Sequence, residues 1–320
     1  ENILESGNEL AAIAAAQINY HVMGYYPITP STQIAEYLDE MKANGRHTVC
    51  MIPGDGEHGA AGICYGAATA GGRVFNATSA NGLLFAMEQL PVQAGTRFPM
   101  VLNVVNRTVS GPLDIKCDQS DIMMALNTGW IIIMAHTTQM VYDFNIFALK
   151  IAEKAKLPII VSSDGFFTSH QKKKIHLFKN DKDVQDFLGK YTPEVTSVEP
   201  TTRPVTIGPY MNEDELTGSK LQLSQALEDS RAIIAEVFEE FASLSGRKYS
   251  PIETYKMEDA EVALMLCGSA YETGTLAVDE MRKANPNTKV GAFAITQIRP
   301  FPEKELQKLL ANVKVVVVGD

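Results

Sequence analysis

The chain of 320 residues carries 38 acidic and 28 basic side chains, a formal charge of −10, and 45% hydrophobic residues. This length accommodates roughly two domains, and the ordinary composition excludes a disordered tail, a collagen-like rod and a minimal disulfide scaffold. The acidic balance argues against nucleic-acid binding, and no apolar run approaches the ~20 residues that a membrane span requires.

Strand-like and helix-like patterns alternate through the first half of the chain. Short runs rich in Val and Ile predict buried strands at 47–53, 73–79, 99–106, 130–135 and 157–163. Apolar spacing and small-residue composition predict helices at 34–41, 57–71 and 139–156. Strands buried on both faces that alternate with helices are typical of a mostly parallel sheet covered on both sides. We therefore predict a doubly wound α/β domain.

The pattern changes after residue 165. Residues 166–220 are polar and contain three consecutive lysines, which predicts either a lid or a solvated connecting arm, and a long helix follows at 221–245. Further on, the sequence predicts strands at 261–266, 289–295 and 313–318 and helices at 272–284 and 303–310. We therefore assign residues 1–250 to one domain and 251–320 to a second, smaller α/β domain. We expect this second domain to be incomplete, because it stops after a buried-looking strand whose edge would lie open.

A glycine-rich turn at residues 54–59 fits the pattern G-x-G-x-x-G between a strand and a helix, which is the context of a dinucleotide-binding loop. Two features oppose that interpretation. Glu57 and His58 are bulky where phosphates would approach, and the next strand ends in residues 76–78 without an acidic side chain for a ribose. An NAD-dependent dehydrogenase stays open as an alternative.

Metal-binding patterns are incomplete in this sequence. The segment 54–56 begins like the thiamine diphosphate metal motif, but Asn81 is followed by glycine where that motif has a second asparagine, so we assign no metal to Asp55. No CxxC unit occurs, so no zinc or iron–sulfur cage can be formed by this chain alone.

The scattered cysteines and an opening segment without a signal-peptide pattern predict a cytoplasmic protein. The cysteines are Cys50, Cys64, Cys117 and Cys267.

Four segments together carry a more specific pattern. They read GYYPITPST at 24–32, EHGAAGICYGAATAGGRVFNATSANGLLFAMEQL at 57–90, NVVNRTVSGPLDIKCDQSDI at 103–122 and DGFFTSH at 164–170. In this combination and order the chain resembles the α subunit of the 2-oxoacid:ferredoxin oxidoreductases, most closely the pyruvate branch. The resemblance covers most of the chain and implies a pyrimidine-side thiamine diphosphate domain followed by a domain like the transketolase C-terminal domain.

The resemblance also implies an activity and a set of partners. Members of the family oxidatively decarboxylate a 2-oxoacid, transfer the acyl group to coenzyme A and pass electrons through iron–sulfur clusters to ferredoxin. A β subunit would complete the thiamine diphosphate site with the ligands for the diphosphate and Mg²⁺. Subunits of γ and δ type, with [4Fe–4S] clusters, would complete a dimer of heteromers.

Glu57 is the candidate catalytic residue, because it lies where the family has its activating glutamate. A carboxylic group that bonds the far ring nitrogen of the aminopyrimidine allows the exocyclic nitrogen to remove the thiazolium proton. The alternative is electrostatic, since a glutamate in the first turn of a helix interacts favourably with the helix dipole. The family context favours the catalytic role.

Thr29 and Arg107 are the candidate substrate ligands. In the family the threonine of YPITPS contacts the substrate carboxylate, and a guanidinium suits a 2-oxoacid carboxylate because it can donate two parallel hydrogen bonds. The structural alternatives are a helix N-cap for Thr29 and, for Arg107, an ion pair with Asp114 or Asp118.

The resemblance further places Pro27, Ile28, Ser79 and Asn81 near the cofactor. Asp114 and Gln119 depart from the asparagine and histidine of the pyruvate branch, so a branched, aryl or dicarboxylic oxoacid stays open. The same departures, together with the unusual segment Gly54-Asp55-Gly56, leave a noncatalytic scaffold subunit as an alternative. Cys117 has no paired histidine and is interpreted as structural, and His58 as a packing or interface residue.

Overall fold

The computed structural model describes residues 1–194, 196 and 204–319. Its strands are β1 (Asn2–Glu5), β2 (Val22–Tyr25), β3 (Cys50–Pro53), β4 (Val74–Thr78), β5 (Val101–Asn106), β6 (Ile131–Ala135), β7 (Ile159–Asp164), β8 (Lys173–His176), β9 (Ile252–Tyr255), β10 (Val262–Leu266), β11 (Val290–Ile295), β12 (Gln297–Arg299) and β13 (Val315–Gly319). Its helices are α1 (Gly7–Ile18), α2 (Thr32–Ala43), α3 (Glu57–Thr69), α4 (Ala80–Ala86), α5 (Leu90–Gly95), α6 (Ser120–Met124), α7 (Thr138–Ala155), α8 (Asp181–Leu188), α9 (Glu213–Ser245), α10 (Ala270–Ala284) and α11 (Glu303–Leu309).

A seven-stranded sheet in the order β12-β6-β7-β5-β4-β2-β3 forms the centre of the molecule. Its strands run parallel except β12, which pairs antiparallel with β6. Helices α1, α2, α7, α8 and α9 share one apolar core with the sheet. Helices α3 to α6 share another with the C-terminal part of the chain. The doubly wound α/β fold is therefore confirmed.

Strand β2 is the one parallel strand of this sheet that the sequence pattern did not predict. It is short and contains Gly24, which weakens the apolar signal of a buried strand. The glycine has a packing reason, because a Cβ atom there would lie 2.6 Å from the backbone oxygen of Ala60 in α3. Helix α3 therefore packs directly against β2.

The polar segment that follows β7 is folded where the structure describes it. Strand β8 pairs antiparallel with β1, and Val184 and Leu188 of α8 are buried in the core shared with α1 and α7. The prediction of a lid or solvated arm is therefore wrong for β8 and α8. The part of that prediction that covers 195 and 197–203 lies outside the described residues.

Helix α9 begins at Glu213, earlier than the predicted start at residue 221. The backbone N–H of Asn212 donates to Glu215 at 2.9 Å, one half of a capping box. The first turns of α9 are mostly exposed. They consequently carry no apolar periodicity from which the helix could be predicted.

The C-terminal part forms a four-stranded sheet in the order β13-β10-β11-β9. Phe293 and Ile295 pack in the same apolar core as Ile132 of the large sheet and Trp130, which directly precedes β6. Because β12 also joins the large sheet, the C-terminal part is integrated with the first domain, and the boundary at residue 251 stays a prediction. The valines of β13, expected to be buried, are 40–62% exposed in the structure.

Candidate functional site

The candidate residues lie at the carboxyl ends of the parallel strands, where ligands meet open α/β sheets. Thr29 follows β2, Glu57 opens α3 after β3, Ser79 follows β4 and Arg107 follows β5. Because these strands are neighbours in one sheet, four segments far apart in sequence meet at the carboxyl ends of its strands.

Glu57 is half-buried at the first turn of α3. Its side chain lines a cavity of about 20 Å³ together with Cys64, Leu90 and Trp130, which is room for roughly one water molecule. None of the ion pairs in the described part of the chain involves Glu57. The carboxylate therefore keeps its hydrogen-bonding capacity within a partly apolar surround.

Gly82 of α4 forms a cradle for the Glu57 carboxylate. A Cβ atom at Gly82 would lie 2.6 Å from Glu57 Oε1 and 2.6 Å from Thr78 Oγ1. Thr78 Oγ1 is buried and has no hydrogen-bond partner among the described residues. Because Gly82 has no side chain, the Glu57 carboxylate and the Thr78 hydroxyl can both lie close to its α-carbon.

Arg107 and Thr29 are joined directly. Arg107 Nη1 donates to the backbone oxygen of Thr29 at 2.7 Å, and the arginine is only 7% exposed. Its Nε is buried without a hydrogen-bond partner within the described structure. Burial lowers the pKa of the guanidinium, whereas the nearby Asp121 and Glu57 carboxylates raise it. This buried cation therefore retains a free donor and lies within electrostatic reach of Glu57.

The predicted ion pair of Arg107 with Asp114 or Asp118 is absent from the described structure. Asp114 Oδ1 accepts from the backbone N–H of Lys116 at 3.0 Å, and Asp118 Oδ1 accepts from the backbone N–H of Ser120 at 2.7 Å. Both acidic side chains therefore accept hydrogen bonds from backbone N–H groups within their own loop. No ion pair between Arg107 and either residue occurs in the described chain.

The N-cap alternative for Thr29 is also wrong. Helix α2 begins at Thr32 with Ser31 at its N-cap position. Thr29 is exposed and lies three residues before the helix, in a turn that Ser31 closes by donating its N–H to the Ile28 carbonyl at 2.9 Å. In the same loop Pro27 is exposed and Ile28 is half-buried. The threonine hydroxyl is therefore available at the edge of the site, while its carbonyl holds Arg107.

Ser79 is at the N-cap position of α4, directly after β4, and Asn81 lies in the first turn of α4. Ser79 Oγ is buried and has no hydrogen-bond partner among the residues described. Asn81 Oδ1 accepts from the Ser110 N–H at 2.9 Å and from the Ser110 hydroxyl at 2.7 Å. The carbonyl end of Asn81 is therefore used to hold the loop after β5.

Asp121 is a residue of this site to which the sequence analysis gave no role. Its carboxylate is completely buried and accepts hydrogen bonds from Ala80 N, Asn106 Nδ2, Arg107 N and Ile122 N. The residue stands at the end of the quoted 103–122 segment, which was its only sequence signal. Its partners lie up to 41 positions away, so spacing alone could not identify them.

The glycine-rich turn at 54–59 is filled by its own chain. A Cβ atom at Gly59 would lie 2.1 Å from Asp55 Oδ1, and one at Gly54 would lie 2.7 Å from the backbone nitrogen of Ala60. The Asp55 side chain therefore lies over the first turn of α3, where a dinucleotide phosphate would otherwise bind. This observation weighs against the dinucleotide interpretation.

Two searches of the described residues concern metals and membranes. No group of three or more His, Cys, Asp or Glu side chains is arranged to hold a metal ion within the ranges that the structure covers. Among the described helices, none combines the length and the hydropathy that a bilayer crossing requires.

Sequence comparison identifies the class of protein. The profile of the family described as pyruvate flavodoxin/ferredoxin oxidoreductase, thiamine diphosphate-binding, matches residues 13–239. That of the pyruvate:ferredoxin oxidoreductase core domain II matches residues 260–320. The chain belongs to the pyruvate flavodoxin/ferredoxin oxidoreductase family and carries its thiamine diphosphate-binding domain. The recognition made from the four segments is confirmed, and the dehydrogenase alternative is set aside.

Two curated relatives narrow the comparison. The pyruvate synthase subunit PorA of Thermotoga maritima is 41% identical over 322 residues, an alignment that spans 100% of this chain and 81% of the relative. The ketoisovalerate oxidoreductase subunit VorA of Pyrococcus horikoshii is 36% identical, with 98% of this chain and 79% of the relative covered.

A solved structure supports the fold independently. The 2-oxoglutarate:ferredoxin oxidoreductase from Magnetococcus marinus, with 2-oxoglutarate, coenzyme A and succinyl-CoA bound, superimposes with a TM-score of 0.78 at 20% identity. The superposition covers 99% of this chain and 57% of that chain. At this identity the likeness concerns the architecture of the chain alone.

Proposed function

We propose that this chain is the α-type subunit of a thiamine diphosphate-dependent 2-oxoacid:ferredoxin oxidoreductase that acts on pyruvate. The observation that carries the proposal is the position of Glu57 and Arg107, a half-buried carboxylate and a buried guanidinium within electrostatic reach at one sheet edge. One group suits the aminopyrimidine of the cofactor and the other suits the carboxylate of the substrate. The family membership and the PorA relatives support the same assignment.

The residues present fit the aminopyrimidine half of the cofactor. Glu57 offers a carboxyl group without an ion pair, and Thr78 Oγ1 and Ser79 Oγ are buried polar atoms without partners among the described residues. Buried polar groups in native proteins are nearly always satisfied, so such atoms at one edge support a missing polar ligand. The cavity beside Glu57, about 20 Å³, is too small for the ring, so the cofactor would lie over Glu57 at the surface.

When bound, thiamine diphosphate supplies the carbon nucleophile and the electron sink of the reaction. Glu57 would hold a proton against a ring nitrogen of the aminopyrimidine, which favours the reactive tautomer. Arg107 would bind the substrate carboxylate through its guanidinium group. The exposed Thr29 hydroxyl would contact the same carboxylate from the other side. Pro27 and Ile28 would line the site beside Thr29.

The surface beside Glu57 supports a heteromeric complex. Phe85 is 59% exposed, and Tyr26, which lines the same cavity as Glu57, is 38% exposed. A Cβ atom at Gly56, next to Glu57, would lie 2.7 Å from Phe85 Cε1, so this aromatic ring borders the site. Exposed apolar side chains around a site support coverage by another subunit. That subunit would bring the diphosphate and Mg²⁺ ligands, and further subunits the [4Fe–4S] clusters and the route to ferredoxin.

The test of the proposed function is Glu57→Gln in the purified complex, assayed anaerobically for pyruvate- and coenzyme A-dependent reduction of a viologen dye. Loss of a proton-transfer group costs roughly 10²- to 10⁴-fold in rate, so we expect a loss of at least about 100-fold with the complex still assembled. Glu88→Gln is the matched control, because Glu88 has an 86% exposed side chain that pairs with His58.

Three outcomes would contradict parts of the proposal. Full activity of Glu57→Gln would remove the catalytic role. A wild-type complex that is inactive with every 2-oxoacid of a panel would favour the scaffold alternative. Faster turnover of a branched, aryl or dicarboxylic oxoacid than of pyruvate would reassign the substrate within the family.

A further inference from the structure

A buried carboxylate links the two halves of the candidate site. Asp121 Oδ2 accepts from the N–H of Ala80 at 2.9 Å and from the N–H of Arg107 at 3.2 Å. Asp121 Oδ1 accepts from Asn106 Nδ2 at 2.8 Å and from the N–H of Ile122 at 2.7 Å. One side chain therefore joins the turn after β4 to the loop after β5. Asn106 extends this network to β7 by accepting from Ser162 Oγ at 2.6 Å.

The four partners also fix the ionic state of Asp121. Every group that faces its oxygens is an N–H donor, so a protonated carboxyl would place its hydrogen against another hydrogen. Burial raises the pKa of Asp121 above its ordinary value, and the hydrogen bonds oppose that shift without cancelling it. The carboxylate form satisfies all four donors, and the nearby Arg107 guanidinium offsets the buried negative charge.

The turn that Asp121 holds is strained. Ala80 is completely buried and has a φ of +37°, a region that residues with a Cβ atom rarely adopt. Such a conformation is energetically unfavourable and persists only where the surroundings impose it. The hydrogen bond from Ala80 N to Asp121 is one such restraint. Two residues further on, the same turn places Gly82 against the Glu57 carboxylate.

We propose that Asp121 is a positioning residue that fixes the Glu57 carboxylate and the Arg107 guanidinium relative to each other. This inference rests on the proposed function, because it concerns the arrangement of the groups that would meet cofactor and substrate. Through Ala80 it sets the turn that cradles Glu57. Through the backbone N–H of Arg107, Asp121 sets the start of the loop after β5, from which the Arg107 side chain reaches Thr29. Asp121 does not itself contact a ligand.

The test compares Asp121→Asn with Asp143→Asn in the complex. An amide can accept at only one of the two oxygen positions, so Asp121→Asn loses two of the four hydrogen bonds whichever way it is oriented. Asp143 is a matched control because it is equally buried and bonds Arg247 Nε and Nη2 at 2.6 and 2.7 Å. It belongs to α7, in the core on the other face of the sheet. Both variants should destabilise the fold.

Steady-state kinetics separate positioning from stability. We expect Asp121→Asn to raise the KM for pyruvate and to lower kcat by about tenfold each, since small misplacements of site groups cost up to ~100-fold in rate. Asp143→Asn should leave both constants within about twofold. Unchanged kinetics in Asp121→Asn, or equal kinetic losses in the two variants, would overturn the proposal.

Amide hydrogen exchange gives a readout that does not depend on turnover. In Asp121→Asn the amides of Ala80 and Arg107, or those of Ile122 and its neighbours, should exchange at least about tenfold faster than in the wild type, because their acceptor is lost. Asp143→Asn should not change exchange at these amides. Unaltered exchange would refute the hydrogen-bonding role of Asp121. If exchange is altered but the wild-type complex turns over no 2-oxoacid, the hydrogen bonds of Asp121 are supported. The proposed function and the positioning role would then both be refuted.

Discussion

The Glu57 carboxylate lies against the α-carbon of Gly82, with no room between them for a methyl group. An added Cβ atom would lie 2.6 Å from Glu57 Oε1 and 2.9 Å from Glu57 Cγ. The candidate catalytic carboxylate therefore takes its position from a neighbouring helix as well as from its own. Its conformation depends on how α3 and α4 pack, and a substitution at Gly82 tests that dependence without altering a charged group.

Gly82→Ala should displace the Glu57 side chain and lower the oxoacid-dependent rate by at least about tenfold, because the added methyl occupies the space of the carboxylate. Gly66→Ala is the matched control. It also introduces a methyl into a helix, but nothing lies within 4 Å of its Cβ position. That variant should stabilise α3 by about 1 kcal/mol through helix propensity and keep full activity. Equal activity of Gly82→Ala and Gly66→Ala would argue against the cradle.

Arg107→Lys should raise the KM for the 2-oxoacid by about 10- to 100-fold, because hydrogen bonds to charged groups contribute roughly 1.5–3 kcal/mol and an ammonium lacks the planar fork. Arg73→Lys is the control, since Arg73 is another largely buried arginine that pairs with Glu153 at 2.6 Å. Arg73 lies just before β4, at the amino ends of the parallel strands, whereas Arg107 lies at their carboxyl ends. A KM that rises equally in both variants would point to a general structural effect instead of carboxylate binding.

His136 should make the fold sensitive to acid. It is completely buried, and this burial lowers its pKa to about 4. Neither ring nitrogen has a hydrogen-bond partner among the described residues. The unfolded chain, with a histidine pKa of about 6.5, binds more protons between these two values, so stability falls as the pH falls through that window.

Between pH 7 and pH 4.5 this histidine should account for about 2 kcal/mol of lost unfolding free energy. The measurement is chemical denaturation of the wild type and of His136→Asn at both pH values. The difference between the two proteins cancels the carboxylates that titrate in both. A wild type that loses no more stability than the variant over this interval would exclude His136 as the source.

The cysteines should differ in reactivity. Burial raises the pKa of the Cys64 thiol to about 12, and Cys64 also lines the cavity beside Glu57. Burial and neighbouring carboxylates, Asp164 among them, raise the pKa of the exposed Cys117. At neutral pH we expect iodoacetamide to modify Cys64 only after unfolding. Protection should be judged by mass spectrometry against the exposed Cys50, and rapid labelling of Cys64 in the native chain would contradict its burial.

The variant Cys117→Ser tests the prediction that Cys117 is structural and takes no part in the chemistry. Because a thiol with a raised pKa is a poor nucleophile at neutral pH, the variant should retain the wild-type rate of oxoacid-dependent dye reduction. A loss of more than about tenfold in kcat with an unchanged fold would instead assign Cys117 to the chemistry.

The sequence by itself determined the strand and helix alternation and thereby the doubly wound fold. Through the resemblance of its motifs to a known family it also indicated Glu57, Thr29 and Arg107, whose residue types suit the chemistry that the resemblance implies. Such features are local. Burial on both faces leaves a continuous apolar run, and a helix start leaves its composition within a few residues.

Only the tertiary structure decided how these residues are held. The Asp121 network depends on the order of strands β4, β5 and β7, and no spacing in the chain encodes that order. The same is true of the Thr29 carbonyl that holds Arg107 across 78 positions, and of Gly82 beside Glu57. The physical reason is that hydrogen bonds and close packing are satisfied by whichever group the fold brings near, whereas local patterns report only how each segment is buried.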